Sequence, residues 1–278
     1  HLLDKPMTAI SADDVLQAYR ERREAAPVRA GVDARYLRAV WNWTQAAFPH
    51  LELEACPVNR IRKLGEWPRI KRRSRRLTSE TAPSWLKAVR ALSQRRDSVL
   101  FEMLFFTGCR IGEVRALRWS DVELVTKIPS FRLVDTKARN TVELPLPRQV
   151  VKLLRSWQAE SPPTSFVFPA VNRAGKLVPA TYPGKVITAH RKASGVQWSP
   201  HDLRRTYISA AELAGVPSIV VRRLTNHAIS SSDAHDGYAV AHVEDLAPWS
   251  QKVANRLQQW ANPPGNVVTL RRGAGHGK

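Results

Sequence analysis

Two short motifs, about ninety residues apart, constrain the fold of this chain more than any other feature. Residues 107–113 read Thr-Gly-Cys-Arg-Ile-Gly-Glu, and residues 201–204 read His-Asp-Leu-Arg. Each motif predicts a helix start that carries an arginine, Arg110 or Arg204, with a partner three residues away on the same helix face. A fold that brings both arginines together would make a clamp for one phosphate group. Taken alone, each motif also fits an ordinary helical ion pair or surface side chains that share no task.

The charge of the chain favours a polyanionic partner. Its 44 Lys and Arg residues exceed its 24 Asp and Glu residues, which gives a net charge of +20. Nucleic acid is the first candidate partner, and an acidic membrane surface is the second. No apolar run reaches the roughly 18 residues of a membrane span, and no signal-peptide pattern opens the chain. Cys56 and Cys109 are too few for a disulfide framework and are expected to be packed thiols in a reducing cytoplasm.

A basic segment predicts the boundary between two domains. Residues 60–76 hold nine Lys or Arg residues against a single acid, Glu66, and Pro57 and Pro68 interrupt helices there. One interpretation is a solvated linker or a localisation signal, and the favoured one is a strap that lies on phosphates. We therefore predict domains over residues 1–66 and 77–261, a basic linker at 67–76 and a tail at 262–278. The linker residues expected to bind phosphate are Arg69, Lys71, Arg72, Arg73, Arg75 and Arg76.

Hydrophobic periodicity predicts a mainly α fold with a small antiparallel β-sheet. The first domain should contain two helices over residues 7–50, with a capping box at Ser11 and Asp14. Tyr36, Leu37, Val40, Trp41 and Trp43 stand at helical spacing within residues 32–48, which favours core packing over base stacking. In the second domain a hairpin should pair residues 131–134 with 141–144. Its helices are predicted over residues 79–95, 97–106, 110–118, 147–159, 181–194, 201–214, 217–224 and 243–260.

Helical projection places the second motif at the edge of a buried face. Leu203, Tyr207, Ala210, Ala211 and Ala214 fall on one stripe of helix 201–214, with His201 and Arg204 at its rim. In the first motif, Glu113 is placed to pair with Arg110 and fix its guanidinium plane. Gly108 and Gly112 flank that arginine, where glycine permits close backbone approach at a cost in helix stability.

Three residue types could supply a nucleophile for attack on phosphate. Cys109 lacks a phosphate-cradling loop, and no serine stands in a nucleophile-elbow pattern. Tyr238, in a polar stretch before the last long helix, is the favoured tyrosine, with Tyr182 and Tyr207 as the next choices. Lys137, at the hairpin turn, is either solvent-exposed or a proton donor to a leaving oxygen. The cluster Asp233, His235 and Asp236 is interpreted as a polar loop, and we expect neither a metal nor another cofactor.

The ordered set Arg110, Lys137, His201-x-x-Arg204, His227 and Tyr238 resembles the catalytic domain of the tyrosine recombinases, the phage-integrase family. The resemblance spans roughly residues 77–261 and is similar to the branch of prophage and genomic-island integrases. Residues 7–70 resemble the helical core-binding domain of that family more loosely. The chain has Thr225-Asn226-His227 where the family often has Leu-Gly-His.

The resemblance implies a metal- and ATP-independent recombinase in which Tyr238 forms a 3′-phosphotyrosyl link. Arg110 and Arg204 would hold the phosphate, Lys137 would protonate the leaving oxygen, and Glu113 would orient Arg110. His201 would help to deprotonate the tyrosine, and His227 would bind a phosphate oxygen; Arg139 and Arg205 would add DNA contacts.

The partners that the resemblance implies are double-stranded DNA at attachment or core sites, a Holliday junction and a homotetramer, with accessory DNA-bending proteins as further candidates and no membrane. The expected location is the bacterial cytoplasm, at the nucleoid. The last helix could dock on its own core or, as slightly favoured, on a neighbouring subunit. A type IB topoisomerase and a non-catalytic DNA-binding relative remain alternatives, and a metal-dependent nuclease is disfavoured by the scarcity of clustered acids.

Overall fold

The computed structural model describes residues 4–68, 74–134, 141–227 and 242–263. The chain forms two compact units, residues 1–73 and 74–278, and each unit has an apolar core of its own. In the described ranges no helix is both long enough and apolar enough to cross a membrane. The fold is mainly helical with small antiparallel sheets, which confirms the fold class predicted from periodicity.

The first unit is built from three helices, α1 (Ala12–Ala25), α2 (Pro27–Ala47) and α3 (Asn59–Lys63). The predicted capping box is present: Ser11 Oγ accepts a hydrogen bond from the Asp14 amide at 3.1 Å, and the Asp14 carboxylate accepts one from the Ser11 amide at 3.0 Å. This exchange satisfies backbone donors that the first turn of α1 would otherwise leave unpaired. The core includes Val15, Leu16 and Trp41.

One face of α2 does not pack as its spacing predicts. The expectation of core packing is confirmed for Trp41, which is 2% exposed, and for Leu37, which packs against the core. It is wrong for Tyr36, Val40 and Trp43, whose side chains are 67%, 52% and 64% exposed. The helix carries two apolar stripes, and α1, together with the buried residues Cys56, Val58 and Ile61, packs on the stripe that contains Ala34 and Trp41. Periodicity shows that a stripe exists, but in a helix with two stripes it does not show which one is buried.

One helix in the centre of the second unit is buried along almost its whole length. Helix α5 (Arg95–Thr107) is buried at every residue from Asp97 to Thr107. Helices that pack against it include α4 (Ala82–Arg90), α7 (Arg148–Glu160) and α9 (Pro200–Leu213). Because α5 ends at Thr107 and α9 begins at Pro200, their contact sets the positions of both motifs. The remaining helices up to residue 224 are α6 (Ile111–Arg115), α8 (Gly184–Ser194) and α10 (Ser218–Leu224).

Two small antiparallel sheets complete the second unit. Strands β1 (Val122–Glu123), β2 (Ser130–Leu133) and β3 (Val142–Pro145) form a sheet in the order β1-β2-β3. Phe131 pairs with Leu144 in the β2–β3 register, which confirms the predicted hairpin. The β4–β5 hairpin (Pro169–Val171 with Leu177–Pro179) was not predicted, because three-residue strands that contain proline carry little strand signal.

The last described helix, α11 (Val243–Ala261), packs on the core of its own unit. Leu246, Val253 and Leu257 are buried against α9, α4, α5 and β3. Of the two docking arrangements expected from the sequence, this structure has the one on the helix's own core. Trp249 and Trp260 are half-buried and pack at the edges of this contact.

Candidate phosphate-binding site

A tight contact between two helix ends builds the floor of the candidate site. Gly108 ends α5 with φ +66°, and a Cβ atom there would lie only 2.6 Å from Cγ and Cδ1 of Tyr207 on α9. Only glycine permits both this left-handed conformation and this approach. The Gly108 carbonyl in turn accepts a hydrogen bond from Nη1 of Arg204 at 3.1 Å. The two sequence motifs therefore meet directly, one through its backbone and the other through its arginine.

Arg110, at the start of α6, is held from two sides. Its Nη1 donates to Oε1 of Glu113 at 2.9 Å and to the Asn226 carbonyl at 2.8 Å. The second Glu113 oxygen accepts the Arg110 backbone amide at 2.9 Å, so one carboxylate both caps α6 and orients the guanidinium. The ion pair anticipated from the three-residue spacing is present. Because His227 follows Asn226, the same contact brings His227 to Arg110.

Arg204 is buried more deeply than the rim position that helical projection predicted. Its side chain is 3% exposed, and its Nη2 has no hydrogen-bond partner. Burial, together with repulsion from Arg110, lowers the pKa of Arg204, although an arginine remains charged at neutral pH. A buried cation with an unused donor is costly unless an anion completes it. The site is therefore prepared for a negatively charged oxygen.

The side chains of His201 and His227 are exposed, and the positive charges of Arg204 and Arg110 act on both imidazoles. Partial desolvation and the positive charges of Arg205 and Arg204 lower the pKa of His201. Partial desolvation and the charges of Arg204 and Arg110 lower the pKa of His227. Both imidazoles are therefore mainly neutral at pH 7, with a nitrogen available as an acceptor. The structure thus brings Arg110, Glu113, His201, Arg204 and His227 into one cationic cluster.

The other residues named from sequence fall into two groups. Lys137, Arg139 and Tyr238, the linker cations Arg69, Lys71, Arg72 and Arg73, and the cluster Asp233, His235 and Asp236 all lie outside the described residues. Arg75, Arg76 and Arg205 are described. Arg76 is exposed, whereas Arg75 and Arg205 are ion-paired to Asp202. Within the described part of the chain, no group of three or more His, Cys, Asp or Glu residues is arranged to hold a metal ion.

Asp202 is a structural anchor that the sequence did not single out. The buried carboxylate accepts hydrogen bonds from Arg75 Nε at 2.8 Å, Arg205 Nη1 at 2.7 Å and Ser199 Oγ at 2.9 Å. Burial alone would raise its pKa, but the bonds from Arg75 and Ser199 outweigh this and hold the pKa of Asp202 below its ordinary value. Nearby, the Leu77 amide donates to Thr206 Oγ1 at 2.8 Å. These bonds fasten the start of the second unit to the first two turns of α9, which also carry His201 and Arg204.

Burial removes two of the candidate nucleophiles. Cys109 is 1% exposed, and desolvation raises the pKa of its thiol to about 12. Tyr207 is also 1% exposed, and burial raises the pKa of its hydroxyl above the ordinary range. Neither group reaches a substrate or ionises readily, whereas the side chain of Tyr182 is 56% exposed.

Comparison with known proteins identifies the family. The sequence model described as the phage integrase family matches residues 75–236, which is more than half of the chain. The chain belongs to the phage integrase family. This integrase-family chain is 27% identical over 264 residues to prophage integrase IntF of Escherichia coli strain K12, a match that covers 91% of the chain and 54% of IntF. It is 28% identical over 186 residues to a tyrosine recombinase of Thermosipho africanus, covering 65% of the chain and 63% of that protein. The chain thus spans a little over half the length of these curated relatives.

Solved structures share the fold of this integrase-family chain. The lambda integrase dimer bound to a COC′ core site superposes with a TM-score of 0.62 at 17% identity, covering 86% of the chain and 85% of that protein chain. A lambda integrase tetramer bound to a Holliday junction gives a TM-score of 0.60 at 17% identity, covering 84% of the chain and 66% of that protein chain. At these identities the similarity establishes the fold.

Proposed function

We propose that this protein is a site-specific DNA recombinase that cleaves and rejoins DNA strands to integrate or excise mobile DNA. The observation that carries the proposal is the unpartnered Nη2 of buried Arg204 in the same cluster as Arg110, His201 and His227. Such a cluster binds one phosphate diester and offsets the charge that grows in its transition state. Membership of the phage integrase family, whose model matches this region, supports the proposal.

The proposed reaction conserves the energy of the phosphodiester. The Tyr238 oxygen attacks the phosphorus while Arg110 and Arg204 bind the non-bridging oxygens, and the bond to the 5′-oxygen breaks. His201 assists removal of the tyrosine proton, His227 binds a phosphate oxygen, and Lys137 gives a proton to the leaving oxygen. A second 5′-hydroxyl then attacks the phosphotyrosyl link and reverses these transfers. We propose that this exchange needs neither ATP nor a metal ion.

We further propose that the partners are duplex DNA and further copies of this chain. The support is the net charge of +20 and the lambda integrase structures, in which a dimer holds a core site and a tetramer holds a Holliday junction. In this proposal, Arg76 and the linker cations contact phosphates, and Arg139 lies near the cleaved strand. Arg75 and Arg205 serve DNA less directly, because both are engaged by Asp202. Affinity for duplex DNA should fall steeply as salt rises, since phosphate contacts release counterions.

The test is trapping of the covalent intermediate. The full chain is incubated in EDTA with sheared chromosomal DNA of the organism that encodes it, randomly nicked so that short cleaved fragments diffuse away. Protein-linked DNA is separated under denaturing conditions and sequenced, which also identifies the target site. We expect an adduct in the wild type and in Tyr182→Phe, and none in Tyr238→Phe. An adduct that persists in Tyr238→Phe, or cleavage that EDTA abolishes, would contradict the proposed chemistry.

A type IB topoisomerase-like activity is the alternative that the same residue set permits. It predicts relaxation of supercoiled plasmid in EDTA and adducts scattered over unrelated sequences. Recombination instead predicts adducts concentrated at one sequence. A non-catalytic DNA-binding relative would bind DNA and form no adduct at all.

A further inference from the structure

The turn before His227 has an unusual backbone conformation. Asn226 follows α10 and has φ +46°, in the left-handed region that only glycine, and less readily asparagine, adopts at low cost. Two backbone hydrogen bonds hold the turn. The Asn226 backbone amide donates to the Arg223 carbonyl at 3.0 Å, and the His227 backbone amide donates to the Arg222 carbonyl at 2.9 Å. The buried Thr225 hydroxyl also donates to the Val221 carbonyl at 2.7 Å. The direction of the Asn226 carbonyl and side chain is therefore fixed.

Both ends of Asn226 engage the arginine cluster. Its carbonyl accepts from Nη1 of Arg110 at 2.8 Å, and its side-chain Nδ2 donates to Oε1 of Glu113 at 3.3 Å. The same Glu113 oxygen accepts from Arg110 Nη1 at 2.9 Å. The three residues form a closed ring of hydrogen bonds, and His227 is the next residue in the chain.

The ring matters because Arg110 would otherwise be free to move. Its side chain is 34% exposed, whereas that of Glu113 is 10% exposed. An exposed arginine samples many rotamers, and fixing it before the substrate arrives removes an entropic cost from the reaction. Glycine at position 226 would permit the turn and keep the contact of the backbone carbonyl with Arg110, but it lacks the side-chain amide that donates to Glu113. Other side chains would strain the backbone.

We propose that Asn226 is a positioning residue that acts through Glu113 to hold the Arg110 guanidinium in a fixed position relative to His227. This inference rests on the proposed function and deepens it, because Asn226 is bonded to Arg110 and Glu113, two residues that the proposed reaction uses. It predicts that the side-chain amide matters for the rate of strand cleavage and not for folding or DNA affinity.

The experiment compares Asn226→Gly with Asn226→Ala and Asn226→Asp. The glycine variant removes the amide and tolerates φ +46°, the alanine variant adds backbone strain, and the aspartate variant places a second carboxylate beside Glu113. Single-turnover adduct formation is measured on the trapped target DNA, together with the Kd for that DNA and the Tm. For Asn226→Gly we expect cleavage at least about 10-fold slower, because a less well positioned Arg110 contributes less to the transition state, with Kd within about twofold and little change in Tm. Asn226→Ala should slow cleavage similarly and also lower the Tm.

A double-mutant cycle tests the route of the effect. If Asn226 acts through Glu113, then Asn226→Gly should cost much less rate in a Glu113→Ala background, which removes the acceptor of the Asn226 Nδ2 bond, than in the wild type. Fully additive effects, or a wild-type cleavage rate in Asn226→Gly, would overturn the inference while the proposed function stands. A wild-type chain that forms no tyrosine adduct overturns both. A loss confined to Tm would show that Asn226 is only structural.

Discussion

The two glycines that flank Arg110 should respond oppositely to the same substitution. Gly108 has φ +66° and lies against the ring of buried Tyr207, whereas Gly112 has open space around its Cα within α6. In Gly108→Ala the new Cβ meets two ring carbons at 2.6 Å, and the buried ring has no solvent-exposed side toward which to move. The two positions lie four residues apart, so each variant is the matched control for the other.

The expected magnitude follows from two costs and one offset. Placing alanine in a left-handed conformation costs about 1–2 kcal/mol. Relieving the overlap with Tyr207 costs about 1–3 kcal/mol, as in other overpacked cores. The loss of backbone freedom in the unfolded chain offsets about 0.4–1 kcal/mol. Gly108→Ala should therefore destabilise the second unit by about 2–4 kcal/mol, whereas Gly112→Ala should stabilise it by about 0.5–1 kcal/mol.

Urea unfolding followed by circular dichroism measures both free energies of unfolding. With a slope of about 2–3 kcal/mol per M, the midpoint of Gly108→Ala should fall by about 0.7–2 M. The Gly108 carbonyl also holds Arg204, so adduct formation should drop in the same variant even at temperatures where it stays folded. An unchanged midpoint in Gly108→Ala, or equal effects in the two variants, would refute the reasoning.

Three further predictions concern buried polar groups in the second unit. Asp202→Asn should destabilise the second unit by about 1–3 kcal/mol, because Arg75 and Arg205 lose their carboxylate partner; thermal unfolding measures the change. An effect no larger than that of Arg75→Gln would contradict the anchoring role of Asp202. His190 is buried, accepts from Trp198 Nε1 at 2.8 Å, and has a pKa lowered by desolvation. Stability should therefore be complete above its unfolded pKa of about 6.5 and fall as pH drops below it, and His190→Gln should flatten that part of a stability-versus-pH curve. Cys56 and Cys109 are buried with raised thiol pKa values, so alkylation at pH 8 should modify neither until urea unfolds the protein, as mass spectrometry can check.

The sequence was a sound guide wherever a local pattern determines the structure. Helix periodicity located α5 to α11 to within a few residues, and alternation with a polar turn located the β2–β3 hairpin. The positions of Arg110, His201 and Arg204 were also predictable, because each belongs to a short motif at a helix start. The chemical roles of those residues remain predictions.

The parts that failed depend on contacts between distant residues. The spacing of Tyr36, Val40 and Trp43 is helical, but burial depends on which elements pack against α2, and α1 and residues 56–61 cover the side that contains Trp41. The docking of α11 on its own core and the depth of Arg204 are likewise set by packing. Asn226 could have been noticed as a residue that tolerates positive φ, but its bond to Glu113 spans 113 positions in sequence and left no local signal.

The attachment of residues 75–77 to α9 has a mechanical consequence. Arg75 donates to the Asp202 carboxylate, and the Leu77 amide donates to the Thr206 hydroxyl. A force along the basic segment that precedes residue 75 would therefore act on the second unit through the first two turns of α9. His201 and Arg204 stand on those same turns. Such a force would therefore act on the candidate catalytic groups before it acted on the rest of the core. If Arg75 moved from Asp202 to a nucleic-acid phosphate, this attachment to α9 would be lost.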